Sequence, residues 1–251
     1  MGSSFLFLLA ILGLISFATV ASSPLSKRDG NQNISVNLRI EGEVETIFEG
    51  IVSSHGHDVT TTSGGTHRCD ANTTSGTTAT SALDDASRLH NSFTWDAYVI
   101  IFSNFHVYLL YMFKSTFFYN FEDFLVTRIG NSTQTCCHSW RLLINFEDHE
   151  MGGCHQQVQE TDHVLWAFDG FCKTHFLNIT GPLNGQVNHP ITVSVTDGWS
   201  GKAISGASVA GNLTDSQGQV NLTFTKAGSQ RLKAEKWDSI RSNALEITIK
   251  P

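Results

Sequence analysis

Residues Gly152–Gly181 read GGCHQQVQETDHVLWAFDGFCKTHFLNITG and contain a dense apolar run, Val164–Phe168. A second apolar run, Phe176–Thr180, follows after a short polar segment, and Gly181-Pro182 ends the stretch. Short apolar runs bounded by glycine and turn residues are typical of buried strands. We therefore predict two strands here, and we expect both to complete an irregular α+β domain that occupies residues 29–180.

Composition limits the classes of protein to consider. The chain has 251 residues, which is enough for two modest domains that each bury a core. Charged residues make up only 16% of the chain and the net charge is −7. A nucleic-acid-binding protein needs a basic face, so we exclude that class. Abundant Gly, Ser, Thr and Asn favour β structure with many turns.

The first domain shows one helix pattern among several strand patterns. The apolar residues of Ile34–Ile40 alternate with polar ones, which predicts a half-buried strand. Ser81 and Asp84 have capping-box spacing and predict a helix that continues to about Leu89. We read residues 55–81 as a polar loop. Further strands are predicted at Thr46–Val52, Phe121–Ile129 and Trp140–Phe146. One helix among four to six short strands predicts an α+β domain with a β-grasp-like sheet.

Residues 181–251 show a cleaner pattern. Apolar residues alternate with Thr, Ser and Asn in three short segments, and glycine-containing turn signals recur between these segments. Short alternating strands at this spacing predict an all-β sandwich. The segments are Ile191–Val195, Val220–Phe224 and Leu245–Ile249. We expect a separate domain here that begins at the Gly181-Pro182 boundary.

Several motifs of the first domain resemble the transcobalamin C-terminal-like domain family, in a fungal secreted branch. They occur in family order and cover most of residues 34–180: Gly64–Asp70, Thr80–Ala86, Val126–Gly130, Trp140–Asn145, Gly152–Cys154 and Asp162–Phe168. Thr161 stands where the family usually has glycine. The related domain of transcobalamins packs on a corrin ring beside a large helical domain. That helical domain has no counterpart here, so the resemblance implies neither corrin binding nor another cofactor.

The second domain resembles invasin-like or carboxypeptidase-regulatory-like Ig-type modules. Four segments carry this resemblance: Thr192–Asp197, Gly206–Val209, Thr214–Gly218 and Ala227-Gly228. Such modules are spacers and adhesive domains, which implies an Ig-like fold without enzymatic activity.

The chain has five cysteines. Cys69 and Cys154 both fall inside motifs shared with the transcobalamin-like family, and the resemblance implies that they form a disulfide. The alternatives are that Cys69 pairs elsewhere or stays free. Adjacent cysteines do not bond each other in relaxed geometry, so Cys136 and Cys137 are not expected to pair, and Cys172 is available to either.

The N-terminus predicts secretion. Residues 5–20 are apolar and small residues follow, which is typical of a signal peptide, here placed at residues 1–21. Residues 22–28 form a candidate propeptide that ends in the dibasic pair Lys27-Arg28; the alternative is a solvated charge pair. Six sequons predict a glycoprotein with glycans on Asn33, Asn72, Asn131, Asn178, Asn212 and Asn221.

Three groups of residues were considered for chemistry. A metal cluster of His55, His57, His67 and Cys69, with Asp58 nearby, matches no established zinc spacing, so we expect solvated loop histidines and no metal. Cys172 and His175 lack a third orienting residue, and we expect no catalytic residues there. Trp95, Trp140 and Trp166 fit core packing, and Trp199, which lies in a turn, remains as a weak ligand-binding candidate.

Residues 98–119, YVIIFSNFHVYLLYMFKSTFFY, form an anomalous apolar block. We considered a membrane helix, a buried hairpin of two strands and an error in the gene model. A membrane helix would divide one domain between two sides of a bilayer, so no stable membrane span is expected. A hairpin lacks turn residues. We therefore hypothesise that the block is a translated intron or a similar error, and that it would form an ill-packed excursion from the sheet.

The sequence as a whole favours a secreted, extracellular or cell-wall glycoprotein that is not an enzyme. We expect it to bind an extracellular ligand, such as a glycan or cell-wall component, or to serve adhesion. The alternative is an extracellular enzyme or accessory factor that acts on polysaccharide or cell-wall polymers. Paired carboxylates at glycosidase separation, roughly 5–10 Å, would favour that alternative.

Overall fold

The structure is a computed structural model that describes residues 33–70, 76–102, 121–149 and 152–251. The predicted signal peptide, the candidate propeptide and Asn72 lie outside these ranges. Within them the chain is mostly β-sheet with a single helix, which confirms the predicted class at that level. No helix in the described part of the chain is long and apolar enough to cross a bilayer.

The described part of the chain up to Phe168 contains ten strands and the helix. They are β1 (Ile34–Glu41), β2 (Thr46–Ser54), β3 (His57–Thr61), β4 (Gly65–Cys69), α1 (Ala79–His90), β5 (Trp95–Phe102), β6 (Phe121–Ile129), β7 (Ser132–Thr133), β8 (Trp140–Ile144), β9 (Glu147–Asp148) and β10 (His163–Phe168).

The second half contains only strands. They are β11 (His175–Thr180), β12 (Asn184–Gln186), β13 (Pro190–Asp197), β14 (Ser208–Val209), β15 (Asn212–Leu213), β16 (Gln219–Thr223), β17 (Gly228–Leu232), β18 (Ala234–Glu235), β19 (Ser239–Ile240) and β20 (Leu245–Lys250).

A five-stranded sheet in the order β2-β1-β10-β8-β9 organises the first domain. β1 and β10 run parallel at its centre, with Leu38 opposite Val164 and Ile40 opposite Trp166. The remaining pairs are antiparallel. The apolar run Val164–Phe168 therefore lies in an inner strand with neighbours on both sides.

Both faces of this sheet are covered. Val164 and Trp166 face a core that includes residues of α1, while Leu165 and Ala167 face a smaller core with Phe176 and Ile240 of the second domain. Strands buried on both faces read as continuous apolar runs because neither side-chain direction meets water. This explains why β10 shows no alternation in the sequence.

Helix α1 begins earlier than the sequence predicts. Thr78 is the N-cap, and its hydroxyl accepts a hydrogen bond from the Ser81 backbone while the Ser81 hydroxyl accepts one from the Thr78 backbone. The predicted capping box at Ser81 and Asp84 is wrong because serine occupies the third helical position and fulfils the role usually taken by Glu or Gln. The helix ends at His90, close to the predicted end at Leu89, and Leu89 in its last turn is exposed.

The segment predicted as a polar loop is also more ordered than expected. β3 and β4 form an antiparallel hairpin in which Val59 and Cys69 are buried. The threonines on its outer face make the alternation of buried and exposed residues difficult to recognise in the sequence. Cys69 forms a disulfide with Cys154, which confirms the implied pairing. In a small domain such a bridge contributes about 2–5 kcal/mol.

Part of the anomalous block belongs to the sheet structure. β5 continues through Tyr98–Phe102 and pairs with β6 from Trp95–Ile129 to Phe102–Phe121. The expectation of an ill-packed excursion is therefore wrong for Tyr98–Phe102, because the ladder continues through those residues. Residues 103–119 lie outside the described part of the chain, and the gene-model hypothesis for them stays a prediction.

In the second domain, the four-stranded sheet β16-β13-β11-β19 faces the three-stranded sheet β12-β20-β17 across a shared apolar core. β14, β15 and β18 form a small third sheet beside them. Two predicted turns place glycine in the left-handed region, at Gly206 and Gly218, which other residues enter only at a cost.

The strand pairing moves the predicted domain boundary. β11 precedes Gly181 and was assigned to the first domain, yet it pairs with β13 on one side and β19 on the other. Leu177 and Ile179 of β11 are fully buried in the core of the second domain. The apolar run of β11 indicates a strand but does not indicate which sheet that strand joins.

We expect a fragment of residues 174–251 to unfold cooperatively on heating and a fragment of residues 181–251 not to do so. The shorter fragment lacks an inner strand and the buried side chains of Leu177 and Ile179. Thermal melts followed by circular dichroism compare the two. Equal, cooperative melting of both fragments would show that β11 is dispensable for this domain.

Candidate functional site

The contact between the two domains is built on a buried carboxylate. Glu41 ends β1 on the polar side of that strand and is completely buried. Its Oε1 accepts a hydrogen bond from Lys233 Nζ at 2.7 Å, and its Oε2 accepts one from Arg241 Nε at 2.9 Å. Both cations belong to the second domain, so two charge pairs join the domains at one point.

Arg241 also binds the backbone of the first domain. Its guanidinium donates to the carbonyl oxygens of Gly42 at 2.6 Å and Val44 at 3.1 Å. One arginine side chain therefore holds both the end of β1 and the turn that follows it. This geometry fixes the angle between the domains, because a planar guanidinium donates in fixed directions.

Glu49 on β2 provides a second anchor. Its Oε2 accepts from Lys233 Nζ and from Arg231 Nη2, each at 3.0 Å, and its Oε1 accepts from the Ala244 backbone at 2.6 Å. Lys233 thus bridges Glu41 and Glu49. Polar residues of β1 and β2 that a sequence reading would leave in water are instead covered by the second domain.

A cavity of about 390 Å³ lies beside these anchors, between the two domains. Its wall combines polar residues of β1 and β2 with residues of β10, of the turn after β8 and of the second domain. The principal lining residues are Asn37, Arg39, Glu49, Phe146, His163, Asn178 and Asn243.

Arg39 is the most unusual residue of this cavity. It is buried, its Nε lies 3.9 Å from Glu41 Oε1, and its guanidinium lies 5.7 Å from the centre of the Phe146 ring. Its Nη1 is buried without a hydrogen-bond partner among the described residues. Burial is the main cause that lowers the Arg39 pKa, but an arginine stays charged because its pKa starts far above neutrality. A fixed cation therefore forms part of the cavity wall.

Phe146 is held in an energetically unfavourable backbone conformation. Asn145 and Phe146 both have positive φ, of 53° and 63°, and such values are uncommon for bulky residues. The Asn145 side chain fixes this turn by donating to Asp162 at 2.8 Å and accepting from the His163 backbone at 2.9 Å. A side chain at Gly198 would come within 2.3 Å of the Phe146 ring. Strained residues that the surroundings hold in place are frequent at binding sites.

Trp199, the ligand-binding candidate from the sequence, lies at the same junction. Its ring is half exposed, at 52%, and lies 4.8 Å from the Arg141 guanidinium of the first domain. Arg141 also lies 4.9 Å from the ring of Phe171, which is 45% exposed. The structure therefore joins Trp199 to a cation–π cluster that spans the domains, while Trp95, Trp140 and Trp166 are buried as expected.

The predicted glycosylation sites divide into two groups. Asn33, Asn131, Asn212 and Asn221 are exposed, whereas Asn178 is only half exposed and lines the cavity between the domains. The processing residues Lys27 and Arg28 lie outside the described part of the chain.

Neither of the catalytic arrangements that we considered has suitable chemistry. The hydrogen bond with Asp169 is the main cause that raises the pKa of the Cys172 thiol, the opposite of what a nucleophile needs. Glu41 and Glu49 lie close together, both within 3.0 Å of Lys233 Nζ. Their oxygens are already occupied by cations and a backbone amide, so neither of these two carboxylates is free to act as acid or base.

Three exposed cysteines are unpaired in the structure. Cys136 and Cys137 place their sulfurs 3.3 Å apart without a bond, and Cys172 Sγ lies 4.0 Å from the carbonyl oxygen of Cys137. A disulfide between Cys172 and one of the adjacent pair stays a prediction.

The sequence analysis missed a second exposed tryptophan. Trp237 is 86% exposed and borders a polar cavity of about 520 Å³ that Glu41 and Arg241 also line. Lys173 donates to the Trp237 carbonyl at 3.1 Å, and His138 pairs with Asp169 at 2.9 Å in the same wall. The hydrophilic run around Trp237 could have indicated exposure, since no apolar neighbour in the sequence accompanies it.

Comparisons with known proteins return no relative: no family model matches the chain, and neither the curated proteins nor the solved structures contain a match.

We expect Glu41→Gln to lower the free energy of unfolding by about 3–5 kcal/mol, since removing one partner of a buried pair leaves its cations uncompensated. Urea denaturation measures the loss. The control is Glu246→Gln, which removes an exposed pair with Arg231 at 2.8 Å and should cost no more than about 1 kcal/mol. Equal losses for both variants would contradict the docking role of Glu41.

Proposed function

We propose that this protein is a secreted glycoprotein that binds an anionic extracellular ligand in the cavity between its two domains, without catalysing a reaction. The observation that carries the proposal is Arg39, a buried cation with a donor nitrogen that has no partner among the described residues. An unpaired buried donor costs about 1–3 kcal/mol. A bound carboxylate or similar anion would supply the missing acceptor.

The remaining lining residues suit a hydroxylated ligand. The carboxamides of Asn37 and Asn178 offer both donors and acceptors, and Phe146 offers an apolar surface beside Arg39. Glu49 brings a negative charge, but Lys233 and Arg231 neutralise it. Polar amides, one aromatic ring and an arginine fit an acidic saccharide, such as a uronic acid unit, and this is the ligand class that we favour.

Binding is favoured over catalysis because the acidic residues at the junction are already paired with cations. Glu41 is completely buried and paired with Lys233 and Arg241, and Glu49 is paired with Lys233 and Arg231. A general acid or a nucleophile has to reach substrate and exchange a proton or form a bond. These carboxylates instead support the proposal that the charges at the junction hold the domains and position Arg39.

We also propose a β-grasp fold for the first domain and an Ig-like sandwich for the second. The support for the first is the sheet order β2-β1-β10-β8-β9 with parallel central strands, together with a helix, α1, that follows the β1–β2 and β3–β4 hairpins along the chain. The support for the second is a pair of facing sheets with alternating inward side chains. The proposed kinship with the transcobalamin C-terminal-like family rests on the shared motifs alone.

Secretion and glycosylation are supported by the apolar N-terminal stretch and by four exposed sequon asparagines. We expect secreted material to begin after residue 21 or after Arg28, and to shift in mass on treatment with an N-glycosidase. N-terminal sequencing together with mass spectrometry measures both. An intact Met1 in secreted protein would contradict the signal peptide.

For the ligand, we expect acidic oligosaccharides to bind and their neutral, carboxyl-reduced counterparts to bind at least about tenfold more weakly, because an Arg–carboxylate pair is a strong, charge-assisted contact. Saturation-transfer NMR and calorimetry on the secreted protein measure the difference. Equal affinity for the acidic and the carboxyl-reduced oligosaccharides would show that Arg39 does not recognise the ligand through a carboxylate.

A matched pair of variants locates the site. Asn178→Asp removes a sequon and adds a negative charge inside the cavity, and Asn212→Asp makes the same changes on an exposed strand of the second domain. We expect only Asn178→Asp to weaken binding, by repulsion of the anion. If both variants bind like the natural protein, the ligand lies elsewhere.

A further inference from the structure

Two histidines and one aspartate converge within the first domain, away from the cavity between the domains. A ring nitrogen of His55, a ring nitrogen of His57 and a carboxylate oxygen of Asp85 all lie within 4.8 Å of one another, and all three residues are half-buried. Ligand atoms on a tetrahedral zinc ion, with bonds of about 2.0–2.1 Å, lie roughly 3.4 Å apart. A metal ion bound here would therefore require the three ligand atoms to move closer together than they are in this structure.

The backbone explains why these residues meet. His55 lies just after β2 and His57 begins β3, while Asp85 lies on α1. The glycine between the histidines, Gly56, comes so close to the chain before α1 that a side chain there would lie 2.4 Å from the Gly76 carbonyl oxygen. Only glycine permits this approach, and the approach brings both histidines to the helix.

Asp84 orients the His57 ring. His57 Nε2 lies 3.0 Å from Asp84 Oδ2, and the same carboxylate is held by Trp95 Nε1 at 3.2 Å and by Arg88 at 2.7 Å. The other ring nitrogen, Nδ1, lies 3.8 Å from Asp85 Oδ2. Metal-binding histidines commonly donate their second ring N–H to a carboxylate in this way, which fixes the ring and the tautomer.

The Asp85 carboxylate provides an independent indication of a cation. Its Oδ2 is buried from solvent and has no hydrogen-bond partner among the described residues. The His57 nitrogen at 3.8 Å is beyond hydrogen-bond distance. A carboxylate oxygen shielded from water and without a donor is costly, and a metal ion between Asp85 and His57 would satisfy it.

We propose that His55, His57 and Asp85 bind a divalent transition-metal ion, with Zn²⁺ as the best match, and that Asp84 is a positioning residue for His57. Two imidazole nitrogens and one carboxylate oxygen suit Zn²⁺ or Cu²⁺, whereas Ca²⁺ and Mg²⁺ prefer oxygen ligands alone. Three protein ligands leave a fourth position for water or for a ligand from outside. At His57 the metal replaces the hydrogen bond between Nδ1 and the His55 carbonyl, which is 2.9 Å long.

This site differs from the cluster that the sequence analysis considered. His67 lies on β4 and packs edge-on against Phe124, with ring centres 5.7 Å apart. Cys69 is bonded to Cys154 and offers no thiolate. The acidic ligand comes from a helix about thirty residues further along the chain, and for that reason the spacing of the histidines matched no known motif.

Calorimetry on the full secreted chain, stripped of metal with a chelator, tests the proposal with Zn²⁺ as the probe. We expect one Zn²⁺ to bind per chain, with no comparable binding of Ca²⁺ or Mg²⁺. Co²⁺ in place of Zn²⁺ should give the visible absorption of a tetrahedral nitrogen–oxygen site. Absence of Zn²⁺ binding to the natural chain overturns the proposal.

Four variants separate this site from other histidines. We expect His55→Ala and Asp85→Asn to abolish the site, and Asp84→Asn to weaken it by about 10–100-fold through loss of the oriented ring. His189→Ala, at an exposed histidine of the second domain, is the control and should bind normally. Melting temperatures without metal check folding, and Zn²⁺ should raise them only in chains that keep the site. Unchanged binding by Asp85→Asn and His55→Ala contradicts the assignment.

Discussion

The pairing of Glu41 with Lys233 and Arg241 is the constraint on which the arrangement of the two domains depends. A completely buried carboxylate is tolerable only while its cations are present. The two cations that hydrogen-bond to Glu41 belong to the second domain, so the first domain alone cannot bury this carboxylate with its charge fully compensated. Arg241 strengthens the same contact through its hydrogen bonds to the Gly42 and Val44 carbonyls.

The five-stranded sheet consequently contributes side chains to two hydrophobic cores, one on each face. One face packs on α1 and on the β5–β6 layer, and the other packs on the second domain through Phe176 and Ile240. Residues at the edge of the second face belong to no hydrophobic core and are not fully exposed either. Arg39 and Phe146 lie there, and the imperfect fit around them leaves the cavity between the domains. A ligand in that cavity would contact both domains and favour the docked state.

The two proposed sites depend on different parts of the fold. The cavity at Arg39 exists only while the domains are docked, since its wall includes Asn178 and Asn243. The cluster of His55, His57 and Asp85 needs only the approach of the β2–β3 connection to α1. Loss of docking would therefore remove the first site and leave the second intact, which makes the two separable in experiment.

The sequence by itself determined that β1, β10, β13 and β20 are strands, because alternation in β1, β13 and β20 and the apolar run of β10 follow directly from which side chains avoid water. Resemblance to family motifs implied the Cys69–Cys154 bridge. Only the tertiary structure decided the partner of β11, the burial of Glu41 and Arg39, and the meeting of His55 with Asp85. These outcomes depend on contacts between segments that are far apart in the sequence. The local sequence pattern does not specify which distant segment a polar residue contacts.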